Sequence, residues 1–197
     1  MFNAAIKDSK SHEHGAEALL EEIDRVEELI NDYKHIISGC VSGNHDQRVF
    51  KTTGEDSLRR ICKNAKIAYQ PNALVLVFKF GKNGNGDRLV YSIFLTHTLR
   101  GGRKEGTKLQ KVVDLRDVID CDAYLAGHSH DLSTHKGTII KVDTRNGSLS
   151  LKQRVFGNCG SEFGYIGYPV AQNYAPSKRG VVRLRLDGRK HDLHMSI

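Results

Sequence analysis

The sequence predicts a mixed fold of helices and strands, with the helices confined to the first two thirds of the chain. Apolar residues recur at helical spacing in three early segments, whereas from Thr138 onward they alternate with polar residues as in β-strands. No repeat, low-complexity tract or interdomain linker interrupts the 197 residues. We therefore predict one α/β (α+β) domain over residues 1–197.

The three helical segments are residues 13–37, 55–65 and 108–119. Their predicted inward residues are Leu19, Ile23, Val26, Ile30 and Tyr33 in the first, Leu58, Ile61 and Cys62 in the second, and Leu109, Val112, Val113, Leu115 and Val118 in the third. Thr53 or Ser57 is the expected N-cap of the second helix, because hydroxyl side chains accept from free N–H groups there.

Strands are predicted between and after these helices. One buried strand leads into Gly43, and another covers residues 122–127. Residues 73–80 and 88–96 flank a Gly/Asn-rich connection, which predicts an antiparallel hairpin. The later predicted strands are 138–142, 148–155, 181–186 and 190–197, with turns at Asn146-Gly147 and Asp187-Gly188.

The charge of the chain is unevenly distributed. Residues 13–32 are acidic, so the formal net charge of +7 comes from basic residues downstream. Such a surface fits a polyanion such as nucleic acid, and it equally fits solvated charge on loops. No apolar stretch is long enough to span a bilayer, and the N-terminus lacks a signal-peptide core. We therefore expect a cytoplasmic protein without a membrane partner.

The four cysteines argue against two kinds of site. Cys40, Cys62, Cys121 and Cys159 are widely spaced, and no two form a CxxC pair. A disulfide framework and a thiolate zinc site are accordingly not expected.

Three polar motifs each follow a predicted strand. They are Gly43-Asn44-His45-Asp46, His97, and Gly127-His128-Ser129-His130. Because strand ends meet at one edge of a sheet, we expect one shared site there. The amide oxygen of Asn44 and the imidazole nitrogens are ligands for divalent metals.

Each motif taken alone also has an ordinary structural explanation. An Asn-His turn can cap a helix, and loop histidines are often exposed. If the motif is catalytic, Gly43 allows a sharp turn where a side chain would collide, His45 acts as a general acid and Asp46 orients its ring. His128 and His130 either meet neighbouring ions across a bend at Gly127 or point the same way from an extended strand.

In this order, the three motifs resemble those of the calcineurin-like metallophosphoesterases, over most of the chain. The resemblance implies a four-layer α-β-β-α sandwich, here lacking its first strands. It implies two ions of manganese, iron or zinc, between which a hydroxide attacks phosphorus. The implied roles are ligation of the second metal by Asn44, His97 and His128, ligation of the first by His130, protonation of the leaving oxygen or steadying of the phosphate by His45, and orientation of His45 by Asp46.

The chain departs from the family pattern at the histidine motif, which often reads His-Gly but here reads His97-Thr98. The following loop is rich in glycine and basic residues. Its cations Arg100, Arg103 and Lys104 are candidates for substrate phosphate, although loop cations are commonly only solvated.

The two motifs that open the family pattern, D-x-H and GDxx(D/N), are missing. Asp192-Leu193-His194 spells D-x-H, but it lies in an alternating C-terminal strand, where an exposed strand face explains it. We expect instead that the chain begins just after the GD pair, with Asn3 at the last position of that motif. On this hypothesis the chain alone holds at most one weak metal position.

Two main functions remain open at this point. The first is a metal-dependent phosphoesterase acting on phosphate esters, with phosphodiesters, including nucleic acid, favoured by the basic residues. The alternative is a catalytically impaired remnant that binds nucleic acid or a partner by charge alone. A third hypothesis is a subunit whose missing motifs come from another chain. Metal identity, mono- or diesterase activity and oligomeric state are left open by the sequence.

Overall fold

The computed structural model describes residues 16–82, 88–97, 104–161 and 178–197. Within them it is a mixed α/β structure with four α-helices and a five-stranded mixed sheet, which confirms the predicted class. In chain order the elements are α1 (Ala16–Tyr33), β1 (Gly39–Val41), α2 (Asn44–Thr53), α3 (Ser57–Ala65), β2 (Ala68–Gln70), β3 (Ala73–Lys82), β4 (Arg88–Thr96), α4 (Glu105–Val113), a 3-10 helix (Asp114–Asp117), β5 (Ala123–Ala126), β6 (Leu132–Val142), β7 (Leu149–Cys159), β8 (Arg183–Leu186) and β9 (Leu193–Ser196).

The described residues fall into two compact units. The first contains residues 16–74 and 96–97, and the second contains residues 75–82, 88–95, 104–161 and 178–197. The single domain predicted for residues 1–197 stays a prediction. None of the helices in these residues combines the length and the apolar character needed to cross a bilayer.

The first unit packs α1, α2 and α3 with the parallel strand pair β1–β2, in which Gly39 lies beside Ala68. Its buried apolar residues are Ile23, Ile30, Val49, Leu58, Ile61, Cys62 and Ile67. The prediction that Tyr33 faces inward was wrong. Tyr33 is 50% exposed because the fully buried stripe of α1 ends one turn earlier, at Ile30.

The start of α3 corrects the predicted N-cap. Asp56 caps the helix, and its Oδ1 accepts a hydrogen bond of 3.0 Å from the N–H of Arg59. Thr53 instead belongs to the last turn of α2, where its hydroxyl donates to the Val49 carbonyl at 2.8 Å. A carboxylate is the stronger acceptor for free N–H groups at a helix start, which accounts for Asp56 taking this position.

Helix α2 was not predicted, although one of the alternatives for the Asn44 motif was a turn that caps a helix. The helix begins at Asn44, immediately after Gly43. Val49 is its one buried apolar residue, so the hydrophobic pattern carried no helical signal. Gly54 ends the helix with φ of 75°, a left-handed conformation that glycine adopts without strain.

The second unit is built on a sheet with strand order β3-β4-β5-β7-β6. β3 and β4 are hydrogen-bonded neighbours, as the hairpin prediction required. β5 pairs with β7 in parallel, and β6 pairs with β7 antiparallel, so the sheet is mixed. β6 begins at Leu132, six residues before the predicted start at 138, because its first residues are polar and lack an alternating pattern.

Each face of this sheet has its own apolar core. One contains Val112, Val113, Cys121, Tyr124, Ala126 and Phe156, and the other contains Leu89, Tyr91, Ile93, Ala123, Val155, Leu193 and Met195. α4 starts at Glu105 and ends at Val113, whereas the predicted helix covered 108–119. Val118, predicted to face inward, is 78% exposed because the 3-10 helix after α4 changes the residue spacing.

The C-terminal hairpin β8–β9 is antiparallel, with Leu186 beside Leu193, as the Asp187-Gly188 turn predicted. β9 is shorter than predicted, because residues 190–192 belong to the turn. The turn is held by Tyr91, whose hydroxyl donates to the Asp187 carbonyl at 2.7 Å and accepts from the Asp192 N–H at 2.9 Å.

A buried carboxylate ties four elements of the second unit together. Oδ2 of Asp122 accepts from the N–H and the hydroxyl of Ser92 at 2.8 and 2.9 Å. Its Oδ1 lies 3.3 Å from Nζ of Lys152, 3.6 Å from Nη1 of Arg154 and 3.6 Å from Nε2 of His191. The side chains of Asp122 and Arg154 are only 5% and 2% exposed, so each buried charge needs the opposite charges around it for compensation.

Candidate metal centre

Two candidate ligands of the first unit lie against each other. Nε2 of His97 is 3.1 Å from Oδ1 of Asn44. Asn44 is the first residue of α2, and His97 follows the last residue of β4. Both side chains are half-buried. Two of the predicted site residues, far apart in sequence, are therefore brought together.

Asn72 holds the segment that carries His97. Its carbonyl accepts from the hydroxyl of Thr96 at 3.0 Å and from the N–H of His97 at 3.4 Å. Its side-chain oxygen accepts from Nε2 of Gln47, in α2, at 2.5 Å. Asn72 thus links the helix that begins with Asn44 to the chain that carries His97. No metal-binding motif in the sequence includes Asn72; the Pro71-Asn72 pair ahead of a strand is the turn signal that marks it.

Gly43 is required here for space. A Cβ atom at this position would lie 2.9 Å from Nε2 of His97 and 3.1 Å from its Cε1. The expected collision of a side chain at Gly43 is confirmed, whereas the expected sharp turn is not, because the Gly43 backbone is extended with φ of −92°. The absence of a side chain lets the imidazole approach the start of α2.

Asp46 closes the first turn of α2. Its Oδ2 accepts a hydrogen bond of 2.6 Å from the N–H of Gly43, which fixes the backbone on both sides of Asn44 and His45. Asp46 is buried, whereas His45 is half-buried. Positioning of the His45 ring by Asp46 stays a prediction.

The second pair of candidates, His128 and His130, belongs to the second unit and follows β5. Both residues have left-handed backbone conformations, with φ of 75° and 53°. Neither of the two predicted geometries describes them, since the bends fall on the histidines themselves. A side chain in this region costs about 1 kcal/mol or more, and such strain concentrates at functional sites.

The surroundings of His130 favour its neutral form. Loss of hydration on the packed part of its ring lowers the pKa of His130, and the nearby side chains of His128 and Lys108 lower this pKa further. A neutral imidazole offers a nitrogen lone pair to a metal ion. Lys108, in α4, is a cation beside this motif that no sequence motif singles out.

The Asn44–His97 pair fits a divalent cation. Two cis ligands at about 2.1 Å from an octahedrally coordinated ion lie about 3.0 Å apart, which matches the 3.1 Å between Asn44 Oδ1 and His97 Nε2. The same distance suits a hydrogen bond from Nε2–H of His97 to the Asn44 oxygen. Ligation requires the other neutral tautomer, with the proton on Nδ1. In the part of the chain that the structure describes, no three His, Cys, Asp or Glu side chains group as a metal cage.

Of the three predicted substrate-binding cations, only Lys104 lies among the described residues. Lys104 is the exposed residue that precedes α4, and its carbonyl accepts the N–H of Lys108 at 3.2 Å. Arg100, Arg103 and Asn3 lie outside the described residues. His194 of the D-x-H sequence is exposed on β9, as expected for a strand face.

Comparison with known proteins adds no assignment: no family model matches the chain, and neither a curated protein nor a solved structure matches it.

Proposed function

We propose that this chain is a metal-dependent phosphoesterase of the calcineurin-like type, with the four-layer sandwich that this type implies, and that it acts in the cytoplasm. One observation carries the proposal. A glycine with no room for a side chain, an amide oxygen and an imidazole nitrogen meet at the start of α2, with the two donor atoms 3.1 Å apart. An ordinary helix-capping turn needs neither the histidine nor this close approach.

The proposed ligands are Asn44, His97 and His128 for one ion and His130 for a second. When bound, manganese, iron or zinc would supply Lewis-acid stabilisation of the phosphoryl oxygens and an activated water. His45, in the first turn of α2, is the proposed donor of the proton to the leaving oxygen. The left-handed backbone at both His128 and His130 supports a functional role for that turn.

The proposed substrate is a phosphodiester, with nucleic acid as one candidate. Support comes from the formal charge of +7 and from Lys108, whose charge lies close enough to His130 to lower the pKa of that histidine. A cation beside the histidine turn would attract an anionic phosphate.

The test is hydrolysis of bis(p-nitrophenyl) phosphate with and without Mn²⁺, combined with a manganese titration of the same samples. We expect manganese-stimulated hydrolysis that His128→Ala abolishes and His45→Ala reduces in kcat. His194→Ala, an exposed histidine of β9, serves as the matched control and should leave both readouts unchanged.

A charge-only binding module predicts a different set of results. DNA binding would then fall steeply with salt but would not respond to manganese or to His45→Ala. That result, together with equal manganese affinity in the wild type and His128→Ala, would contradict the proposal.

A further inference from the structure

The ends of β6 and β7 form a two-stranded ribbon, defined here as residues 138–142 and 149–153. β5 pairs with β7 only from Val155 to Asn158, so the ribbon extends beyond the part of β7 that pairs with β5. Ile140 lies opposite Leu151, and Val142 lies opposite Leu149. Since side chains two residues apart share a face of a strand, all four point to the same side of the ribbon.

These four side chains form an exposed aliphatic patch. Their exposed fractions are 65% for Ile140, 54% for Val142, 68% for Leu149 and 76% for Leu151. Isolated exposed apolar residues are common, but a contiguous patch of roughly a few hundred Å² marks an interaction surface.

The patch continues a sheet face that is buried elsewhere. Val155 follows Leu151 on β7 at an even residue spacing and therefore lies on the same face. It is fully buried in the core that contains Leu193 and Met195 of β9. The β8–β9 hairpin therefore covers this face near β5, whereas the same face on the ribbon is exposed.

The outer edge of β6 offers a second binding feature. β6 is the last strand of the five-stranded sheet, and none of the described residues pairs with its outer edge. The strand is 11 residues long. Its outward N–H and C=O groups are a template for a further strand, which is how many domains bind extended peptides.

The charges on the ribbon indicate the character of the added strand. Within the ribbon and its turn the cations are Lys141, Arg145 and Lys152, of which Lys152 pairs with Asp122, against the single carboxylate of Asp143. Lys141 lies on the face opposite Ile140 and Val142, so within the ribbon one face is aliphatic and the other bears the cation Lys141.

These features disfavour two other occupants. A second copy of the chain would bring like charges together along the edge. A bilayer would leave the backbone groups of the β6 edge without hydrogen-bond partners.

We propose that the β6 edge binds an extended segment of a partner protein in which aliphatic and acidic residues alternate. The segment adds a sixth strand to the sheet. Its aliphatic side chains continue the patch beside Ile140 and Val142, and its carboxylates lie on the face of Lys141. Backbone hydrogen bonds supply affinity, and the two faces supply specificity.

The test uses a dye-labelled, end-capped peptide of four Val-Glu repeats, titrated with the full chain by fluorescence anisotropy. Saturable binding is expected. The double variant Ile140→Thr/Leu151→Thr should weaken it about tenfold or more, because threonine keeps strand propensity but removes the aliphatic patch. Ile139→Thr, on the opposite face, is the matched control and should change the affinity by less than about twofold.

Two further measurements separate strand addition from other binding. Lys141→Glu is an exposed change that leaves the core intact. It should weaken binding of the acidic peptide and strengthen binding of a Val-Lys peptide. N-methylation of alternate peptide residues should abolish binding, since it removes backbone donors.

Four results would overturn the proposal. Two of them concern the peptide: the Val-Glu peptide does not bind, or its N-methylated form binds equally well. The other two point to a different occupant: the chain co-sediments with phosphatidylserine vesicles and Leu151→Thr abolishes this, or the chain sediments as a dimer that Leu151→Thr dissociates.

Discussion

Nε2 of His97 lies 3.1 Å from Oδ1 of Asn44, although 53 positions separate the two residues in the chain. The contact joins the end of a strand to the start of a helix. It is held by Asn72 on one side and by the absence of a side chain at Gly43 on the other.

Gly43→Ala should weaken metal binding far more than stability. The new methyl group would lie 2.9 Å from Nε2 of His97 and would displace the ring from Asn44. Because the ring end of a side chain can move, the free energy of unfolding should fall by less than about 1 kcal/mol. Manganese affinity should fall about tenfold or more, as when other groups that orient ligands are disturbed. Calorimetric titration measures the affinity, and urea unfolding measures the stability.

Gly106→Ala is the control for this substitution. Gly106 lies in α4, and none of the described residues outside its own helix backbone comes within 4 Å of the Cβ position. Alanine should stabilise the helix by about 0.5 kcal/mol and leave manganese affinity unchanged. Equal metal affinity in Gly43→Ala and Gly106→Ala would refute the close-approach argument.

The left-handed conformation of His130 predicts an unusual order of stability among its variants. His130→Gly should be more stable than His130→Ala by about 1 kcal/mol, because alanine is strained at φ of 53° and glycine is not. In the great majority of helical or strand positions, the alanine variant is instead more stable than the glycine variant. Both variants lack the imidazole, so their metal affinities should be equally reduced. A more stable alanine variant would contradict the assigned backbone.

Asp122→Asn should destabilise the chain by roughly 3 kcal/mol, since it leaves the buried guanidinium of Arg154 without one of its two carboxylate partners. The amide keeps the shape of the carboxylate, so the loss reports charge rather than packing. Asp143→Asn, in the exposed β6–β7 turn, is the matched control and should cost far less. Chemical unfolding of the three proteins gives the comparison, and equal stability of the two variants would contradict the buried ion pair.

The same carboxylate predicts an acid-dependent loss of stability. Burial tends to raise the pKa of Asp122, but hydrogen bonds from Ser92 and the positive charges of Lys152 and His191 outweigh it and lower this pKa below 3.8. A group whose pKa is lower in the folded state stabilises that state above its unfolded pKa. The contribution is therefore present above pH 3.8 and is lost as the pH falls through the folded pKa. Asp122→Asn should lack this part of the pH dependence, measured by thermal unfolding from pH 6 to pH 2.5.

Cys40 should be the first thiol to react with iodoacetamide. A hydrogen bond with Cys62 lowers the pKa of Cys40, against the opposing effects of burial and Asp46. Burial raises the pKa of Cys159 to about 11, and burial also raises the pKa of Cys121. The thiolate is the reacting species, so Cys62→Ala should slow the labelling of Cys40 severalfold. Peptide mass mapping reports each rate; Cys121→Ala is the control and should leave labelling of Cys40 unchanged.

The regular elements could be predicted where apolar residues carried the pattern. β4 was predicted with its observed first and last residues, because buried positions alternate with more exposed ones from Arg88 to Ile93. α2 and the first half of β6 could not be predicted, because polar residues dominate both and their conformation is fixed by neighbouring elements.

The candidate site shows the same division. Residue types that suit metal binding identified Asn44 and His97, and the structure places them in contact. The sequence did not reveal the supporting role of Asn72, because that role depends on contacts across long chain separations. The sequence also did not reveal the backbone strain at His128 and His130, since neither position is a glycine, the residue that ordinarily marks left-handed turns.

The most direct measurement is pulsed electron paramagnetic resonance of Mn²⁺ bound to the chain with ¹⁵N-labelled histidine. We predict ¹⁵N couplings from both His97 and His128 to one ion, with one coupling lost in His97→Ala and the other in His128→Ala. If manganese shows no histidine coupling, or if His97→Ala leaves the spectrum unchanged, the proposed metal centre is wrong.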